Sequence, residues 1–250
     1  MKALNKVKFP IQALVVVALT LAFGTFIVWG LHSPHFGISK IQINSLNQET
    51  QAYFSYFKKE VEADLLPFQK QLLWQINIRD IMVKIKKEPW VQEARVRRVF
   101  PNKLEIDLGL QEVELVFISD RGDRYPISSE GNLLPKISEK LLPDVPLLRG
   151  RKFLDDAGLR EDALLLSSQL PLTGPLSRPL LSEIYFNPKL GFELLLSESS
   201  FRVILGQDNY ELKLKRVAKV IEYLNAKNIQ GRVIDARYEK KILVRLRKGT

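Results

Sequence analysis

Few residues in this sequence are placed to do covalent chemistry. The only two histidines, His32 and His35, stand three apart, a spacing that could hold a metal ion on one helical face. Pro34 lies between them and no carboxylate is adjacent, so the pair reads as a linker rather than a ligand set. Ser55-Tyr56-Phe57-Lys58 matches S-x-x-K, but within an amphipathic helical pattern, where four-residue matches arise by chance. Asp155-Asp156 falls where a helix start favours negative charge. The absence of cysteine excludes disulfides, thiolate metal sites and a cysteine nucleophile. G-x-S-x-G, G-x-x-x-x-G-K, H-E-x-x-H and G-x-G-x-x-G are also missing. No nucleophile has a base to activate it, so the expectation is a non-enzymatic protein without cofactor, metal or small-molecule substrate. What remains is recognition: Lys241 to Arg247 alternates Ile242, Val244 and Leu246 with Lys241, Leu243, Arg245 and Arg247, as a strand would.

A scaffold for such a strand is affordable in a chain of 250 residues, 46% hydrophobic and 26% charged. Thirty-eight Lys and Arg face 28 Asp and Glu, a net charge of +10. No block of five like charges occurs, which favours a solvated mixed surface over a nucleic-acid face.

The strongest local feature is Ile11 to Leu31, 21 residues without a charge. As a helix rising ~1.5 Å per residue it spans about 30 Å, the thickness of a hydrocarbon core. Lys2, Lys6 and Lys8 precede it with no acid among residues 1–10, and Trp29 stands near its far end. The expectation is a single-pass anchor with residues 1–10 as a cytoplasmic tail and the rest of the chain outside. A cleaved signal peptide fits less well. The apolar run is too long, and the best cleavage site, Ala22-Phe23-Gly24, lies in its middle.

After the anchor, the pattern predicts a small domain over residues 36–109. Ile38–Ile43 reads as a strand and about Gln48–Val61 as a helix. A second helix is capped by Asn77, with Asp80 three residues on and Ile78, Ile81, Met82 and Ile85 on one face; Pro89 stops it. Val91–Val99, the turn Phe100–Lys103 and Leu104–Leu108 form a hairpin. Trp90 reads as a core residue covering the sheet.

Residues 111–250 read as a mostly antiparallel β domain with flanking helices. Strands are predicted at Val113–Ser119, Tyr125–Ile127, Ile184–Phe186, Gly191–Leu196, Phe201–Leu205, Val233–Tyr238 and Ile242–Leu246. Leu142–Leu148 is too proline-rich for a central strand. Helices are expected over Asp155–Gln169 and, with Asp208 and Glu211 as a capping pair, along the stripe Leu214, Val217, Ile221 and Leu224. The fold class is therefore α+β: one transmembrane helix, a β-α-α-β-β domain and a β domain.

Several stretches carry a resemblance. Glu88-Pro89-Trp90-Val91, followed by Val96-Arg97-Arg98-Val99-Phe100-Pro101-Asn102-Lys103-Leu104-Glu105-Ile106, resembles the POTRA domain of the FtsQ/DivIB family of bacterial cell-division proteins. Gly131 in its turn, Leu142-Pro143 before a Leu-x-Arg-Gly, Val203-Ile204-Leu205-Gly206 and Ile234-Asp235-Ala236-Arg237-Tyr238 are similar to that family's C-terminal domain. The resemblance covers residues 11–248. It implies a single-pass (type II) inner-membrane scaffold of the septum-forming complex, N-terminus cytoplasmic and bulk periplasmic. It further implies that the last strands bind membrane partners of the FtsB and FtsL type, while the POTRA domain contributes to recruitment by other divisome proteins. Carried onto this chain, the implied contact residues are Arg237, Tyr238, Lys240, Ile242 and Val244, with Tyr238 equally able to be a core or corner tyrosine. No strand follows the last one before Thr250, so its edge would be free for strand addition, and its basic side chains would suit an acidic partner or simply guard against aggregation. The alternative is a POTRA-bearing component of secretion or outer-membrane assembly, which would carry several such domains or a barrel.

Overall fold

A computed structural model describes residues 11–31, 36–47, 50–197, 201–229 and 231–246. The histidine pair lies outside them. Helix α1, Ile11–Leu31, covers the charge-free run. Its large apolar side chains from Leu14 to Trp29 are exposed, and the window Ala13–Gly30 has a mean hydropathy of 2.3, long and apolar enough to cross a membrane. The two hydroxyls inside it are satisfied by the helix itself. Thr20 Oγ1 donates to the Val17 carbonyl and Thr25 Oγ1 to that of Ala22, each at 2.9 Å.

The remainder divides into two compact units, the first holding residues up to Leu46 and Ser55–Gly109, the second Asn47–Phe54 and Leu110 onward. Elements of the first are β1 (Lys40–Ser45), α2 (Gln51–Leu65), α3 (Ile78–Ile85), β2 (Val91–Val99) and β3 (Lys103–Leu110). They make the expected strand, helix, helix, strand, strand order, and the sheet runs β1-β3-β2 with β1 parallel to β3. Helix α3 starts as its sequence predicts. The Asn77 side chain accepts from the Arg79 N–H at 3.1 Å and donates to Asp80 at 3.1 Å, while Ile81 and Ile85 turn inward. Trp90 is buried and stacks on Phe57 of α2 at 4.9 Å between ring centroids. Ser55 is exposed on α2, and Lys58 pairs with Glu62 at 4.0 Å.

In the second unit, eight strands form one sheet. They are β4 (Val113–Ile118), β5 (Arg124–Ser128), β6 (Leu147–Arg149), β7 (Leu181–Asn187), β8 (Gly191–Leu196), β9 (Arg202–Gly206), β10 (Gly231–Asp235) and β11 (Leu243–Leu246), in the spatial order β11-β10-β9-β8-β7-β6-β4-β5. Four of the seven pairings are antiparallel; β4–β6, β6–β7 and β9–β10 are parallel. Helices α4 (Lys152–Asp155), α5 (Ala157–Ser168) and α6 (Tyr210–Ala226) complete it, so the fold is α+β. Leu159, Ala163 and Leu166 of α5, and Leu214, Val217, Ile221 and Leu224 of α6, share one core with Phe117, Leu148, Ile184, Leu194, Val203 and Ile234 from the strands. The residues that alternate with these on the strands carry ion pairs: Arg149–Glu183 at 3.0 Å, Arg202–Glu193, and Arg178–Glu114.

Three expectations need correction. Leu147–Arg149 is a strand in the middle of the sheet despite the prolines before it. The strand begins after Pro146, whose carbonyl accepts from the Val116 N–H at 3.1 Å, so no proline N–H is needed. The helix expected over Asp155–Gln169 breaks at Asp156, whose side chain caps α5 by accepting from the Leu159 N–H at 3.0 Å. Asp208 and Glu211 do not cap α6. Asn209 holds that position with φ 51°, Asp208 pairs with the buried Lys213, and Glu211 pairs with Lys215 at 2.6 Å.

The β7–β8 turn imposes a sharp demand on Gly191. Its φ is +78°, and a Cβ there would stand 2.1 Å from the Gly206 carbonyl oxygen. Neither backbone can give way without parting β8 from β9. Gly191→Ala is expected to destabilise the second unit by about 3 kcal/mol or more, read as a lower urea midpoint by circular dichroism; an unchanged midpoint would refute the close-approach argument.

Candidate partner-binding edge

Strand β10 enters the sheet parallel to β9, and β11 returns antiparallel to it, with Ile234 opposite Val244 and Asp235 opposite Leu243. Among the described residues no strand lies beyond β11. In an antiparallel pair half of a strand's backbone groups face away from its neighbour, so β11 carries a row of N–H and C=O groups with no strand to receive them. The opposite edge of the sheet is treated differently. Strand β5 contains Pro126, which has no N–H to leave open, and the chain folds back beside it. There the Leu134 N–H donates to the Pro126 carbonyl at 2.8 Å and the Ser128 N–H to that of Asn132 at 3.0 Å.

The predicted strand Val233–Tyr238 ends early, at Asp235, because the next residues serve a turn. Ala236 is buried and donates its N–H to the Ile204 carbonyl at 2.8 Å. Arg237 folds back on Asp235 in a two-pronged clasp, Nε to Oδ1 at 2.9 Å and Nη2 to Oδ2 at 2.7 Å, and its backbone N–H also reaches Oδ1 at 3.2 Å. The Arg237 hydrogen bonds hold the Asp235 carboxyl below the ordinary aspartate value, against the opposing effect of burial. From α6, Arg216 Nη1 donates to the Glu239 carbonyl at 2.6 Å and the Tyr238 carbonyl at 3.4 Å, fixing the far side of the turn.

The five sequence-predicted residues therefore fall into distinct places. Tyr238 is 42% exposed and is not a core tyrosine. Its ring centroid lies 5.8 Å from the Arg237 guanidinium and 5.3 Å from the Lys241 ammonium. Lys240 is exposed in the turn. Arg237 is half-buried and already engaged by Asp235. Ile242 and Val244 face inward, half-buried against the core, so they support the edge from beneath rather than present themselves on it.

Sequence reasoning missed the residues that alternate with them, Leu243, which is 43% exposed, and the exposed Arg245; Leu246, on the same side as Val244 but at the end of the strand, is exposed as well. Asp235 and Arg216, which hold the turn, were also missed; the Asp-x-Arg spacing was a readable signal for the first, while the second comes from a helix remote in sequence. Residues 231–246 carry five Lys and Arg against two acids. The edge thus offers unpaired backbone, two exposed leucines, a tyrosine ring and a cationic rim, a combination that can hold an extended, acidic segment and has no group suited to bond making.

Residues 36–109 match the family model described as POTRA domain, FtsQ-type, and residues 116–237 match Cell division protein FtsQ/DivIB, C-terminal. "Cell division protein FtsQ" of Geobacter sp. (strain M21) is 28% identical over 178 residues, 68% of this chain and 64% of that protein. The chain thus spans just under two thirds of that relative's length. The protein of the same name from Myxococcus fulvus is 25% identical over 238 residues, 89% of this chain and 80% of the relative. That of Neisseria gonorrhoeae is 23% identical over 240 residues, 93% and 88%. Helix α1 and these relatives together fit a single-pass membrane protein. With both of its units matched in order, the chain belongs to the FtsQ/DivIB family of cell-division proteins.

Proposed function

We propose that this chain is a non-enzymatic, single-pass scaffold of the septum-forming complex, holding other membrane division proteins by strand addition at β11. The observation that carries the reading is the unequal treatment of the two sheet edges. One is closed by Pro126 and the folded-back Asn132–Leu134, whereas among the described residues nothing pairs beyond β11, which has Leu243 exposed on it. A bare edge invites wrong pairing, so a native sheet has little reason to keep one unless something pairs with it. Family membership supports the division context.

In this reading α1 crosses the inner membrane with the lysine-bearing end in the cytoplasm and both units in the periplasm. The domains run as residues 1–10, 11–31, 36–109 and 111–250. The partners at β11 are of the FtsB and FtsL type, and the POTRA domain serves other divisome proteins. Lys240, Tyr238 and the outward Leu243 and Arg245 meet the incoming segment. Arg237 contributes through the clasp that orients Tyr238, and Ile242 and Val244 keep β11 seated.

Depletion is expected to give filamentous cells lacking septa; normal septation with faulty outer-membrane assembly would overturn the scaffold reading. Deleting residues 239–250, or the milder Leu243→Asp, is expected to abolish co-purification of membrane division partners. At an interface centre such a substitution costs about 2 kcal/mol or more, a ~30-fold loss of affinity. Unchanged recovery with both variants would sink the strand-addition site while leaving the division role intact.

The clasp gives a pH signature. Because the folded-state value of Asp235 lies below its unfolded value, its contribution is complete above the unfolded value of about 4 and fades as pH falls toward the folded one. Asp235→Asn is therefore expected to lower stability at pH 7, and the gap to the parent chain should close on acidification below about pH 4. A gap that stays constant across this range would show that the charge on Asp235 is not what holds the turn.

A further inference from the structure

The first unit has one end whose composition differs from the rest. The incoming segment Phe36–Ser39 is gripped on two sides. On one, the Leu73 N–H donates to the Phe36 carbonyl at 3.0 Å, the Ile38 N–H to the Gln71 carbonyl at 2.9 Å and the Lys70 N–H to the Ile38 carbonyl at 3.1 Å. On the other, the Ser39 N–H donates to the Asn102 carbonyl at 3.0 Å. The α2–α3 loop and the β2–β3 turn are thus drawn to the place where the chain arrives from α1. Arg98 ties the loop to β2 through the carbonyls of Leu73 at 2.9 Å and Ile76 at 2.5 Å.

This end is aromatic and cationic. Phe36 and Trp74 are half-buried and pack edge to face at 5.3 Å. Phe100, at the tip of the turn, is 64% exposed, and Leu66 in the loop is 57% exposed. Residues 36–46, 65–79 and 98–104 contain Lys40, Lys70, Arg79, Arg98 and Lys103 and no Asp or Glu. All eight acids of the unit, against its twelve Lys and Arg, lie outside these three segments.

The connection to α1 is short. Four residues separate Leu31 from Phe36, so the gap is at most about 19 Å even when fully stretched. The headgroup zone on each side of a bilayer takes up roughly 5–8 Å of that. An end held so near a membrane, with aromatic and aliphatic side chains among cations, matches what the headgroup region accepts: amphipathic rings at its depth and positive charge against anionic lipid.

We propose that this end of the first unit is a membrane seat: the 66–74 loop and the 100–103 turn rest on an anionic bilayer surface, Phe100, Leu66 and Trp74 dipping into the headgroup zone while the exposed Lys40 and Lys70 meet lipid phosphates; Lys103 is paired with Glu105 at 3.7 Å. The inference rests on α1 crossing a bilayer and is independent of the partner proposed for β11. The seat limits the directions the first unit can take relative to the membrane, which a four-residue tether alone would not.

The cysteine-free chain makes the test direct. Single cysteines are introduced as Phe100→Cys, Leu66→Cys, Lys87→Cys and Thr25→Cys in the full chain. Lys87 is exposed beyond the far end of α3, next to the start of β2, and Thr25 lies within α1. Each variant is labelled with a small fluorophore and reconstituted, without other proteins, into vesicles of phosphatidylethanolamine and phosphatidylglycerol. Quenching by headgroup-spin-labelled lipid is expected to be about threefold or more stronger at 100 and 66 than at 87, and to weaken when phosphatidylcholine replaces phosphatidylglycerol. Equal quenching at 100, 66 and 87 overturns the seat, even where acyl-chain-labelled lipid quenches the label at 25 and shows the anchor inserted. No quenching at 25 overturns the anchor and the seat together. Lipid-insensitive quenching at 100 and 66 overturns the role of anionic phosphate.

Discussion

An open sheet has two edges, and each must do something with a row of backbone groups that no strand receives. In this protein the two edges are resolved by opposite means. At β5 a proline removes one donor and the chain folds back to satisfy others, whereas at β11 the sheet of the described residues stops with leucines exposed and cations around them. The turn before β11 is held from several sides. Asp235 and Arg237 clasp each other, Arg216 reaches across from α6 to two carbonyls, and Ile242 and Val244 insert toward the core. An edge tied down in this way has little conformational entropy of its own left to lose on pairing.

The apolar helix is a second constraint, and it bears on the first unit. A helix without a polar face, exposed along its length and fit to cross a bilayer, stands a few residues before the first unit in the chain. The hydrogen bonds that receive the incoming strand also collect the acid-free loops of that unit on the same side.

Much of the fold was legible because its signals are local. A 21-residue run without charge needs no tertiary partner to be read as a membrane helix. Asn77 caps α3 through a bond to its own second neighbour, and the stripe Leu214, Val217, Ile221 and Leu224 follows from helical period alone. The readings that failed depended on distant groups. Leu147–Arg149 lies centrally because Val116 pairs with the carbonyl of Pro146, and nothing near Pro146 announces that. Asp208 has the residue type and position of a cap, but the buried Lys213 competes for its carboxylate and takes it.

The candidate edge divides in the same way. Alternation along Ile242–Leu246 established that one set of side chains would be buried and the other free, because successive residues of a strand point to opposite faces. Which set faced out was decided only by pairing with β10: Val244 stands opposite the buried Ile234 and follows it inward, so Leu243 is left outside. The sequence by itself determined the membrane helix, the α+β class and the family, since each rests on composition, period or short motifs. Tertiary structure alone decided which edge is open, which leucine stands on it and that Arg237 is already occupied, because these depend on register and on charges brought together across the fold.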